Sequence, residues 1–201
     1  MSLFAFDDSF RSQGFRIIAG IDEAGRGSLA GPVVAACVCF KEEVFIEGIR
    51  DSKELNSVQR EKLFEEILSK AYVGVGIIEN DVIDRINILE ATRLAMKNAI
   101  ENLSKDVSLL LVDAIQLPQI KIPYRAIIKG DRKSASIAAA SIIAKVTRDN
   151  LMRNYHKNYP QYGFEKHKGY ATKEHIKALH KFGPSPIHRK SFYPVNALML
   201  F

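Results

Sequence analysis

The run Ser108-Leu109-Leu110-Leu111-Val112 has no polar residue after its first position and ends on Asp113. A short unbroken apolar run of this kind suits a strand covered on both faces. Two other segments share its character. Arg16 to Asp22 is mostly apolar and ends in the pair Asp22-Glu23, and Pro32 to Phe40 reads PVVAACVCF. Strands buried on both sides need helices packed against them, so the chain is constrained to a layered α/β architecture.

The rest of the pattern supplies those helices. A third strand is expected at Val44 to Ile49, and a helix from Asn56 or Ser57 with an apolar face of Leu63, Phe64, Ile67 and Leu68. Tyr72 to Glu79 reads as a strand thinned by two glycines. Asn87 caps the next helix, with Glu90 three residues on as in a capping box, and Ile88, Ala91, Ala95, Ala99 and Leu103 form its buried stripe. Tyr124 to Ile128 is a further strand. Ser134 or Ser136 opens a long helix that ends near Tyr159, before Pro160. Thr172 caps a helix stopped by Phe182-Gly183-Pro184. Early hairpins followed by alternating helices and strands predict a mixed sheet with helices packed on it, in one domain over 1–201. About 1–15 is a lead-in and about 160–201 a helical C-terminal extension.

Charge is divided unevenly. Residues 1 to 113 carry 13 Lys+Arg against 19 Asp+Glu, net −6, whereas residues 114 to 201 carry 16 against 4, net +12. A folded basic half points to a polyanionic partner. No apolar stretch approaches the roughly 20 residues that span a bilayer. Met1 to Phe15 lacks the basic start and long apolar core of a signal peptide, so a cytoplasmic protein with no membrane partner is expected. Cys37 and Cys39 fall on one strand face and read as small buried hydrophobes in a reducing compartment.

Two strands end in carboxylates, Asp22-Glu23 and Asp113. Neighbouring strand ends lie about 5 Å apart, so these acids converge if their strands are parallel neighbours. Ionised carboxylates share a small site only when cations neutralise them, and oxygen-only ligands favour Mg²⁺ or Mn²⁺ over zinc. Consecutive strand residues point to opposite faces. Asp22 and Glu23 therefore share a metal only if the pleat breaks, which Gly25 and Gly27 make plausible. A fourth acid comes from either of two places. Asp149 shares a helix face with Ser141 and Lys145, whereas Asp131 precedes that helix as a turn or N-terminal charge; periodicity does not choose between them.

Gly25-Arg26-Gly27 puts a cation in a backbone that approaches a ligand closely, with amides able to cradle phosphate or sugar oxygens. Lys166-His167-Lys168-Gly169-Tyr170 joins cations to an aromatic, and Tyr170 either stacks on a sugar or base or packs on the next helix. The histidines at 156, 167, 175, 180 and 188 match no zinc spacing and read as surface or capping residues.

These blocks together resemble bacterial ribonuclease HII from about Arg16 to Pro194. The likeness is carried by Gly20-Ile21-Asp22-Glu23-Ala24-Gly25-Arg26-Gly27, Leu29-Ala30-Gly31-Pro32-Val33-Val34, Asp51-Ser52-Lys53, Ile128-Lys129-Gly130-Asp131, Ser136 to Asp149, Tyr162-Gly163-Phe164 through Lys168-Gly169-Tyr170, and Pro186-Ile187-His188-Arg189. The resemblance implies an RNase H-like fold: a five-stranded mixed sheet flanked by helices, with a C-terminal helical extension. It implies a four-carboxylate site at Asp22, Glu23, Asp113 and Asp149 that holds two divalent ions, Mn²⁺ or Mg²⁺. It also implies a ribose 2′-hydroxyl sensor at Gly25, Arg26 and Gly27, and a junction-sensing Tyr170. The implied activity is cleavage of the RNA strand of RNA–DNA hybrids, and of single ribonucleotides in duplex DNA, to 3′-hydroxyl and 5′-phosphate ends. Lys53, Lys129 and Lys145 are expected phosphate contacts, and a monomer is expected. The chain departs from the family pattern at Ser28, where proline or another small residue is common, and at Ala114, where glycine is frequent and the strand exit is expected to change slightly.

Overall fold

In the computed structural model, which describes residues 2–41, 44–117 and 120–199, the apolar runs form one sheet. Its strands are Ile18–Ala24 (β1), Val33–Phe40 (β2), Ala71–Ile78 (β3), Leu109–Asp113 (β4) and Tyr124–Ile127 (β5), in the order β3-β2-β1-β4-β5. β1, β2 and β3 are antiparallel neighbours, while β4 runs parallel to β1 and β5 parallel to β4. The helices are Leu3–Arg11 (α1), Ser57–Lys70 (α2), Asn80–Glu101 (α3), Ala135–Asn158 (α4), Phe164–His167 (α5) and Lys173–Phe182 (α6). This is the mixed five-stranded sheet flanked by helices that the resemblance implied.

The unbroken apolar strands are explained by what lies on each face. Val34, Ala36 and Val38 of β2 pack with Ala139 and Ile142 of α4, behind which stand Leu63 and Ile67 of α2. The alternate residues Val33, Ala35 and Cys37 pack with Ala91, Ala95, Met96 and Ala99 of α3. Period-two alternation thus feeds two cores rather than one core and solvent. Leu109 to Val112 are fully buried in the same way, and each such side chain contributes roughly 1.5–3 kcal/mol. Both cysteines are free and buried.

The two glycines of β3 have a packing role. A Cβ at Gly74 would stand 2.1 Å from the Ala99 carbonyl oxygen, and one at Gly76 2.0 Å from that of Ala95. The backbone of α3 therefore lies directly on β3.

Caps resolve the open helix starts. Asn56 and Gln59 form a reciprocal capping box on α2, and the Ser134 hydroxyl accepts from the Ile137 amide at 3.2 Å to start α4. Thr172 caps α6 as expected.

Four expectations need correction. Val44 to Ile49 is not a strand; it is a turn whose Ile46 and Ile49 drop into the core beside α2 and α4. Helix α3 begins at Asn80, and Asn87 is a kink inside it at φ 67°. The Asn87 carboxamide accepts from the Leu89 and Glu90 amides, so it caps only the second segment. The lead-in contains helix α1, with Phe6 and Phe10 on Ile18, Leu109 and Ile137. Its buried Asp7 accepts from the Ser136 amide at 2.9 Å, at the start of α4. Finally, the pleat of β1 continues past Asp22-Glu23 to Ala24, so the expected break follows the acid pair instead of splitting it. Among the described residues no helix is long and apolar enough to cross a membrane.

The seat of α3 is testable. Gly76→Val forces α3 off β3, and overpacking of this kind costs about 1–3 kcal/mol, or several degrees of melting temperature at this chain length. A melting curve unchanged within a degree would show that α3 is not seated on the glycines.

Candidate active site

Parallel pairing of β1 with β4 sets Ile21 beside Val112, so the next residues, Asp22 and Asp113, stand side by side toward the same ends of their strands. Asp113 is held by the Gly130 amide, which donates to its Oδ1 at 2.8 Å. That bond draws in the tight turn Gly130–Arg132, which carries Asp131. One oxygen from each of Asp22, Asp113 and Asp131 lies within 4.8 Å of the other two. The chain leaves β4 through Ala114 at φ 49°, a left-handed conformation that glycine adopts more easily. The altered strand exit expected at this alanine is thus a locally strained one.

Burial and crowding raise the proton affinities of Asp22 and Asp131. Burial first, then the charges of Glu23 and Asp113, hold the Asp22 carboxyl well above the usual carboxylate range. Burial, then Asp51 and Asp113, raise Asp131. Glu23 stands beside the group; its Oε1 accepts from Arg26 Nη1 at 3.2 Å, and its Oε2 is buried without a partner. Burial also raises its pKa, against the pull of Arg26.

Lys53 reaches over the acids, 3.7 Å from Asp51 and 3.4 Å from Asp131. Burial opposes its charge, but Asp51, Asp131 and Asp22 outweigh burial and raise the ammonium pKa. Lys129 is exposed on the turn that bears Asp131.

Asp149 is not in the three-acid group. It is buried on α4, where Lys145 donates to its Oδ1 at 2.8 Å. These two residues line an open groove of about 590 Å³ with Arg153, Lys166, Lys168 and Tyr170. Tyr170 is 36% exposed, so it is not packed away. Its ring lies 5.5 Å from the Lys145 ammonium and 5.4 Å from the Arg148 guanidinium.

The glycine loop after β1 is held by two fully buried arginines that the sequence reading did not single out. Arg148 donates to the carbonyls of Pro32, Ala30 and Lys168. Arg189 donates to those of Gly31 and Arg26. Burial pushes the pKa of both down, that of Arg189 to about 9. Gly25, at φ +95°, has no room for a side chain: its Cβ would meet Arg148 Nε at 2.0 Å. Arg148 sits four residues from the buried Ala144 and Met152, a helical stripe that could have flagged it.

The expectation of surface or capping histidines fails for His175 and His188, which are fully buried and joined Nε2 to Nε2 at 3.1 Å. The i,i+4 relation of His175 to the buried Leu179 was the available signal.

The donor set is made of oxygens only. Repelling carboxylates, proton affinities raised by burial, and an orphaned carboxylate oxygen on Glu23 all fit a divalent cation. Comparison with known proteins agrees. Residues 19–195 match the family model described as Ribonuclease HII. The chain is 54% identical over 193 residues to the ribonuclease HII of Acetivibrio thermocellus, covering 96% of this chain and 75% of that one. It is 53% identical over 190 residues to that of Caldicellulosiruptor saccharolyticus, covering 94% and 93%. The solved ribonuclease H2 of Pyrococcus horikoshii superposes with a TM-score of 0.76 at 27% identity, over 90% of this chain and 96% of that one. With the fold, the acid cluster and these matches in agreement, the chain belongs to the ribonuclease HII family of ribonuclease H-type hydrolases.

Proposed function

We propose that this protein is a divalent-metal-dependent endonuclease that cuts the RNA strand of RNA–DNA hybrids and single ribonucleotides embedded in duplex DNA, leaving 3′-hydroxyl and 5′-phosphate ends. The observation that carries this reading is the convergence of Asp22, Asp113 and Asp131 beside the glycine loop, next to a cationic groove. Asp22, Asp113 and Asp131 would hold metal, with Glu23 adjacent, and two ions are the expectation. Bound there, divalent cations supply Lewis acidity toward the phosphate and lower the pKa of water.

The fourth acid is assigned to Asp131 instead of Asp149. Asp131 shares space with Asp22 and Asp113, whereas Asp149 has its charge met by Lys145. Asp149 instead positions Lys145 on the groove wall.

The chain's own groups account for selectivity. Among the described residues the amides of Arg26 and Gly27 donate to no protein acceptor, so they are left for a sugar hydroxyl. The 2′-hydroxyl is what separates RNA from DNA at a given site. Arg148 and Arg189 hold that loop from behind, and Tyr170 offers a ring face for the adjoining nucleotide. Lys53, Lys129, Lys145 and Lys168 surround the path of the backbone, and neutralising any one should flatten the salt dependence of binding.

Three experiments test this reading. Wild-type protein should cut a duplex bearing one ribonucleotide with Mg²⁺ or Mn²⁺ and stop when EDTA is added; cutting of the all-DNA duplex, or cutting in EDTA, would contradict it. Asp131→Asn should lower kcat roughly 10²-fold or more, while Asp149→Asn stays within a few-fold; the reverse order would restore Asp149 to the metal site. Asp22→Asn removes a carboxyl whose ionised form is opposed by burial and by the charges of Glu23 and Asp113, so the metal-free variant should melt above wild type. Wild type should gain stability with Mn²⁺ as ligand linkage requires, and the variant should not. Equal Mn²⁺ shifts in both would remove Asp22 from the site.

A further inference from the structure

The hydrogen bonds around Tyr170 form a directed chain of imidazoles that the proposed chemistry does not use. The Tyr170 carbonyl can only accept, and it lies 2.9 Å from His175 Nδ1, so that nitrogen carries the proton. At the far end the Ser185 amide can only donate, and it lies 2.9 Å from His188 Nδ1, so that nitrogen is bare. The Ser185 hydroxyl reaches the same nitrogen at 2.7 Å. A neutral His188 therefore carries its proton on Nε2 and donates it to the bare Nε2 of His175 at 3.1 Å. Every polar atom is satisfied by one tautomer of each ring. Burial, and then repulsion between the imidazoles, pulls both pKa values down to about 4, so both rings are neutral near pH 7.

The other side of the Tyr170 peptide is held by a third imidazole. His167 stacks on His175 at 4.4 Å and 15°. Its Nδ1 accepts from the Gly169 amide, and its carbonyl accepts from the Tyr170 amide at 2.9 Å. Gly169 in turn accepts from the Leu29 amide of the glycine loop at 2.8 Å. A Cβ on Gly169 would meet the Ala30 carbonyl oxygen at 2.6 Å, so the two segments touch through backbone.

We propose that His175 and His188, anchored by Ser185, are positioning residues that fix the Tyr170 main chain, and so the angle of its ring over the groove relative to the glycine loop. The inference rests on the reading that Tyr170 contacts the nucleotide at an RNA–DNA junction. Neither histidine touches substrate. They act through Tyr170 on how well a lone ribonucleotide is told apart from a continuous hybrid.

Two replacements of one residue separate positioning from simple packing. In His175→Asn the side-chain amide falls near the place of Nδ1 and still donates to the Tyr170 carbonyl. In His175→Gln the amide reaches toward the place of Nε2, keeping a partner at His188 and losing that carbonyl. Both variants lose the ring's stacking on His167, so their melting temperatures should fall alike. The readout is the ratio of kcat/KM for a duplex with one ribonucleotide to that for a continuous hybrid. The Asn variant should keep the wild-type ratio, and the Gln variant should lose it as Tyr170→Ala does. Ser185→Ala removes one hydroxyl from the chain without enlarging the core demand. It should lower the ratio by roughly 2- to 10-fold, the value of one hydrogen bond, and it serves if either His175 variant fails to fold. Ratios that follow melting temperature in all variants would overturn the positioning role while a loss in Tyr170→Ala leaves the reading of Tyr170 intact. An unchanged ratio in Tyr170→Ala would overturn both.

Discussion

A side chain at position 20 would put its first carbon 2.1 Å from the backbone of Ser136, so β1 and the start of α4 meet through main chain alone. That contact sets the depth of the cleft. It brings the turn before α4 against the end of β4, where the Gly130 amide reaches Asp113. It also lays α4 under β1 and β2, so that Ser141 faces Asp22 and Arg148 reaches the loop beyond. The acids meet because two backbones can touch, and a larger residue at 20 would separate them.

Two opposite electrostatic problems stand side by side in the site. Three carboxylates crowd together, with the proton affinities of Asp22 and Asp131 raised, a strain that a cation relieves. Two guanidiniums are buried with only carbonyls for partners. Isolated buried charges are costly, and carbonyl dipoles offset only part of that cost, as the lowered pKa values of both arginines show. What this arrangement secures is geometry. Five carbonyls from Arg26, Ala30, Gly31, Pro32 and Lys168 are pinned to two rigid forks, and among the described residues the amides of Arg26 and Gly27 are left without a protein acceptor.

Much of the sheet was legible because its signals are local. The unbroken apolar runs of β2 and β4 follow from composition along a few residues, and the Asn56, Ser134 and Thr172 caps follow from side chains beside the helix start. Helix α1 was missed because its apolar residues, Leu3, Phe4, Phe6 and Phe10, are few and its Asp7 is buried only by a partner 129 residues away. Val44 to Ile49 misled because two buried isoleucines in a turn look like part of a strand. The acid pair and Asp113 could be read at strand ends. The choice between Asp131 and Asp149 could not, since it depends on a bond between Gly130 and Asp113 and on an ion pair that satisfies Asp149. The buried histidines were harder to read, because only the i,i+4 relation of His175 to Leu179 marks one of them, and the bond that joins them spans 13 residues.

The most direct test is the anomalous scattering map of crystals of the wild-type protein grown with Mn²⁺. Density is expected among Asp22, Asp113 and Asp131, with Lys145 still on Asp149. Manganese on Asp149, with none in contact with Asp131, would contradict the site as assigned.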